Sequence, residues 1–221
     1  MAPGYLFRLM SPVLFLLIFC LGILSMGLQL VASRVLAPFF GSSIFVWASL
    51  ITTFLAAFSA GSFVGGFVSG KPFAVQARIM AVLMSIGSGA LLLNSVGCYA
   101  VCDWMDLHVE NLPAKLITTC LLLYFVPIAS LSALTPVCVG FYDRWRKSAG
   151  RSAGLLNGIS TLGNIAGVLL AALVLIPTFG IQSLLHVWWI SSVALQLSLW
   201  FVIYSSSLPS RPLSPAPALE R

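Results

Sequence analysis

Seven side chains in this sequence are carboxylates or imidazoles able to serve acid–base or metal chemistry: Asp103, Asp106, Glu110, Asp143, Glu220, His108 and His186. Four of the carboxylates and imidazoles follow closely on a pair of cysteines. Cys98 and Cys102 are one helical turn apart, and Asp103, Asp106, His108 and Glu110 come next. Thiols at that spacing on one helix suit a metal better than a disulfide. The plainer reading is a wet loop after a helix end. No nucleophile–base pair or metal set is assigned, so the chain is expected to be noncatalytic and without a cofactor.

Polar groups set among apolar neighbours are the other candidates. Gln29, Arg34, Asn94 and His186 are expected to fall in the outer half of the molecule and line one outward-facing polar cavity. Arg34 reads equally well as snorkelling to headgroups, and His186 as an interface residue beside Trp188 and Trp189, an aromatic belt. Asn157, Thr161 and Asn164, with Ser160 beside them, share a helix face at i, i+4 and i+7. Such amides bond between helices or, in the functional reading, hold a small polar substrate.

The elements that must position these groups follow from composition. Of 221 residues, 60% are hydrophobic and 7% charged, against about 25% charged in an ordinary soluble domain. Mean hydropathy is +1.06. This excludes a soluble enzyme, a disordered chain and a nucleic-acid module, and leaves an integral membrane protein with the lipid bilayer as its first partner. Apolar runs able to cross ~30 Å of hydrocarbon are Pro12–Val31, Ile44–Ser69, Ile79–Val101, Leu116–Phe141, Leu155–Ile176 and Ile181–Ser205. Each is expected to be helical, because unpaired backbone groups are too costly in lipid. The fold class is therefore all-α, a polytopic bundle of six transmembrane helices over 1–207. The tail 208–221, rich in proline and serine, reads as disordered and cytoplasmic. The first run has 20 residues, longer than the ~7–15 of a signal peptide, so it is expected to be a retained helix.

Six spans sort the basic residues nine to two. Arg8, Lys71, Arg78, Arg144, Arg146, Lys147, Arg151, Arg211 and Arg221 share one side; Arg34 and Lys115 take the other. The positive-inside rule places both termini in the cytoplasm. Arg144, Arg146, Lys147 and Arg151 form a basic loop, read as contact with anionic lipid or as a docking surface for a cytoplasmic partner.

Small residues set the packing. Ala57, Gly61 and Gly65 recur every fourth residue in the second span, with Gly66 beside them; Gly163, Gly167 and Ala171 do the same in the fifth. Such ridges let backbones approach closely, and the second and fifth helices are expected in the bundle interior. Pro127 and Pro136 free carbonyls in the fourth span. Val35–Gly41 and Val174–Gly180 are identical at five of seven positions at an offset of 139, which reads as shared turn chemistry or as a duplicated helical hairpin.

The segment Leu28-Gln29-Leu30-Val31-Ala32-Ser33-Arg34-Val35-Leu36-Ala37-Pro38-Phe39-Phe40-Gly41, then Val46-Trp47, Ala60-Gly61, Gly65-Gly66, Ser160-Thr161-Leu162-Gly163-Asn164 and Leu175–Gly180, resembles the membrane region of bacterial spermidine synthase-like proteins, often described as fused major-facilitator/spermidine-synthase proteins. The resemblance implies a bacterial inner membrane. Gln29 stands where that family commonly has a glutamate. Family members often continue into a soluble aminopropyltransferase domain; this sequence ends at Arg221 without one. The expected function is a noncatalytic membrane module that anchors a separate cytoplasmic enzyme or joins other membrane-complex subunits. The alternative is a small transporter of a polar solute, working as a homo-oligomer.

Overall fold

Glycine and proline punctuate the helices of the computed structural model, which describes the backbone of residues 3–207 and the side chains of 11–144 and 147–204. The expected tail 208–221 and the side chains of Arg8 and Arg146 lie outside the described residues. Helix α1 runs Pro3–Phe40. It stops at Gly41, whose φ of 72° needs a residue without a Cβ and whose N–H reaches Ala37 O at 2.9 Å. Helix α2 is Ile44–Ser69 and α3 is Phe73–His108, entered through Pro72. Helix α4 covers 112–146 and is capped by Asn111, whose side chain accepts from Ala114 N at 3.1 Å. Helix α5 is Ala149–Thr178 and α6 is Ile181–Ser207. All six are long and apolar enough to cross a membrane, and no strand occurs among the described residues. Several helices outrun the apolar runs that predict them, because short loops leave the extra turns nowhere to unwind.

Two helices widen to π geometry, at Leu121–Phe125 in α4 and Ala171–Leu175 in α5. Each lies just ahead of a proline, Pro127 and Pro177. A proline lacks the N–H for the carbonyl four residues back and clashes with it, and a π turn absorbs the misfit. In α4 that carbonyl belongs to Leu123, and Asn94 of α3 donates to it from Nδ2 at 3.2 Å.

The closest packing joins α1 to α5 and α2 to α4. Gly163 and Gly167 of α5 press on the carbonyls of Phe19 and Ile23 in α1; Gly61 and Gly65 of α2 press on those of Ala129 and Ala133 in α4. In both cases a ridge of glycines at intervals of four meets carbonyls at intervals of four. Next come α1 with α6, α3 with α4, and α3 with α6. Exchanging α1–α3 for α4–α6 carries these main pairs onto one another. An odd number of helices per half makes the halves run in opposite directions, the arrangement of an inverted repeat.

Three expectations need correction here. The hairpins α1–α2 and α5–α6 are not equivalents under this exchange, and their matching heptapeptides turn differently: Gly41 has a positive φ and Gly180 does not. The interior helix is α4, with 61% of its most apolar stretch buried, whereas α5 has 17%; a glycine ridge buries one face of α5 and leaves the rest open. Gly66 is exposed with no neighbour near its Cβ position, so it packs nothing. Gly22, on the α1 side of the same seam, does pack: a Cβ there would lie 2.7 Å from Asn164 N.

Leu28, Val31, Val35 and Leu36 of α1, Leu50 and Phe54 of α2, and Tyr124, Ile128 and Leu131 of α4 are fully buried. They make the half of the bundle away from the basic loops a closely packed, mainly apolar core.

Candidate functional site

Below that core, toward the basic end, the four helices α1, α2, α4 and α5 part around a cavity of about 230 Å³. Helix α1 contributes Leu21 and Ser25 at its middle. Helix α2 contributes Phe58 and Ser62, and α4 contributes Ser132, Thr135 and Pro136. Helix α5 contributes Asn157, Ser160, Thr161 and Asn164. Six hydroxyls and two amides therefore line it, and no charged side chain does.

Most of these side chains make no hydrogen bond to the described residues. Elsewhere in the bundle, helical hydroxyls commonly donate back to their own helix, as Ser85, Ser95, Thr119, Ser130 and Ser198 do at 2.7–2.9 Å. In the cleft, Thr161 does so to Asn157 O at 2.9 Å, and Ser132 bonds Ala129 O at 3.1 Å and Ala57 O of α2 at 3.4 Å. The side chains of Ser25, Ser62, Thr135, Asn157, Ser160 and Asn164 have no such partner among the described residues. Ser25 is 4% exposed and lines the cleft. The fully buried polar atoms without a partner among the described residues, Gln76 Nε2, Asn94 Oδ1, Tyr124 Oη and Gln196 Nε2, lie outside the cleft; the cleft's own groups are open to a ligand or water.

The cleft continues to the basic end. A second cavity of about 310 Å³ shares Asn157 and Pro136 with the first and is lined also by Ser69, Gly140, Asp143 and Ala153. At its mouth Asp143 accepts from Ser148 N at 2.9 Å and from Ser152 Oγ at 3.3 Å. Arg144 turns to the other side. Its Nη2 donates to Gln76 Oε1 at 3.0 Å, Lys71 O at 3.3 Å and Ser69 O at 3.4 Å. Arg144 thus ties α4 to the α2–α3 turn and is not a free docking group. Lys147, in the left-handed region at φ 51°, and Arg151 are exposed.

The polar candidates separate: the four expected to line one outward-facing cavity do not meet, and the three that share a helix face do. Asn157, Thr161 and Asn164 line the cleft. Asn94 is buried and serves the Leu123 carbonyl instead. Gln29 is half-buried and Arg34 exposed, and neither lines the cleft. His186 is exposed, with Nδ1 2.8 Å from Gln182 O of its own helix. Trp188 is no belt residue: it is 3% exposed, and its Nε1 donates to Leu24 O at 2.9 Å. Ser25, Ser62, Ser132 and Thr135 were missed, because serine and threonine occur throughout these helices and nothing in their spacing marks a shared depth.

The cysteine–carboxylate segment serves structure. Cys98 and Cys102 are buried, Asp106 pairs with Lys115 at 2.7 Å and so ties the end of α3 to α4, and His108 stacks on Trp104 at 4.6 Å. No group of three His, Cys, Asp or Glu side chains among the described residues is arranged to hold a metal. No family model, curated protein or solved structure matches the chain.

Proposed function

We propose that this chain is a noncatalytic membrane module of transporter type, which admits a small polar solute to the middle of the bilayer from its basic end. By the positive-inside rule that end is cytoplasmic. One observation carries the reading: hydroxyls and amides from four helices, most of them without a partner among the described residues, converge on a cleft between apolar spans. The exchange of α1–α3 with α4–α6 supports it, since transporters built from inverted repeats place their sites between repeats near the bilayer midplane. The test is reconstitution of the full chain in sealed vesicles with a panel of radiolabelled small solutes. Saturable flux that Asn164→Leu lowers at least ten-fold is the expected result. Flux equal to that of empty vesicles for every solute overturns the reading.

A second reading rests on Lys147 and Arg151, which stay exposed at the basic end. As an anchor, the module would hold a cytoplasmic enzyme or other membrane subunits through them, consistent with the resemblance to spermidine synthase-like membrane regions. A copurifying protein lost on Lys147→Glu with Arg151→Glu supports this reading, and a lone chain in every mild detergent counts against it.

A further inference from the structure

The chemistry of the cleft narrows what it holds. Its unpaired groups are hydroxyls and primary amides, and each kind both donates and accepts. A carboxylate alone would leave the amide oxygens of Asn157 and Asn164 unpaired and an ammonium alone their N–H groups, so a ligand that both donates and accepts complements them best. Charge argues the same way. No ionised side chain faces the deep cavity, and an unpaired charge at that depth loses its solvation with no counter-charge to offset the loss. The carboxylate at the mouth, Asp143, is already engaged by Ser148 and Ser152.

Shape and surface add two constraints. The deep cavity, about 230 Å³, is below the 300–1,000 Å³ typical of drug-sized ligands. Leu21, Phe58 and Pro136 offer apolar patches between the polar groups, which suits a molecule whose C–H faces alternate with hydroxyls. Asn157 and Pro136 line both cavities, on the side of the basic end.

Resting on the solute-binding reading above, we propose that the cleft selects an uncharged, hydroxyl-rich solute of polyol or monosaccharide size, which enters from the basic end past Asn157. Amines, polyamines and carboxylates are rejected because nothing at depth neutralises them.

The test is calorimetric titration of the full chain in lipid nanodiscs. The neutral probes are erythritol, ribitol and glucose; the charged probes are putrescine, spermidine and acetate. The proposal expects saturable binding of at least one neutral probe and none of the charged ones. Asn164→Leu is expected to weaken that binding at least ten-fold. Ser25→Ala, which only removes an oxygen and spares the fold, is expected to weaken it three-fold or more with an unchanged melting temperature. Binding of a charged probe in preference to all neutral ones, weakened by the same variants, overturns the solute class and leaves the solute-binding reading standing. Failure of every probe to bind overturns both, as does binding that neither variant alters.

Discussion

Replacing Gly167 by alanine adds one methyl group to α5 at its closest approach to α1. That methyl would lie 2.7 Å from Ile23 Cα, with the Ile23 carbonyl nearer still. Carbon atoms rest about 3.5–4.0 Å apart, and both obstacles are backbone, which cannot rotate away. The helices must therefore part by about 1 Å, and overpacking of this kind costs about 1–3 kcal/mol. Alanine's preference for helix opposes this by up to about 1 kcal/mol. Gly158→Ala, on the same helix with open space at its Cβ position, carries the preference without the clash. The comparison of the two variants isolates the packing cost, predicted at about 1–3 kcal/mol. Unfolding in mixed micelles with increasing sodium dodecyl sulfate, followed by circular dichroism, measures it. Two variants unfolding at the same detergent fraction would refute the claim that this glycine seam holds α5 on α1.

Other consequences are equally concrete. Asn94→Leu should cost about 1–3 kcal/mol by orphaning the Leu123 carbonyl, but much less in a Pro127→Ala background, where residue 127 regains an N–H; the same unfolding assay should show this coupling. Gly41→Ala should destabilise by about 1 kcal/mol because of its positive φ, whereas Gly180→Ala should change stability by less than about 0.5 kcal/mol. Arg144→Ala should release the α2–α3 turn, seen as faster amide hydrogen exchange at 69–76, with no change at Asn111–Lys115; unaltered exchange at 69–76 would remove the brace from the account.

The six spans are legible in the sequence because lipid imposes length and composition on each helix. The glycine ridges also announce themselves, but not the helix each one meets. In a soluble bundle a polar stripe would mark the outer face of α4 or α5. Here the lipid-facing side is as apolar as the core, so Leu162 and Ile165, both exposed, read like Leu131 and Leu134, both buried. That is why α5 looks interior in sequence and is peripheral in the fold. The α5 wall of the cleft is readable from the spacing of Asn157, Thr161 and Asn164. The opposing wall is not, since Ser25 and Ser62 resemble the serines that bond back to their own helices. Asn94 misleads for a related reason: its partner is a carbonyl exposed by a proline 33 positions later.

Side-specific thiol labelling tests the central claim most directly. With Cys20, Cys98, Cys102, Cys120 and Cys138 replaced by alanine, single cysteines are placed at Asn157, Ser25 and Leu50 and exposed to a membrane-impermeant maleimide on either side of sealed vesicles. The account predicts that Asn157→Cys and Ser25→Cys react only from the side of the basic loops, with Ser25→Cys the slower, and that Leu50→Cys reacts from neither. Resistance of Ser25→Cys on that side, or its labelling from the side of the Asn111 loop, would contradict it.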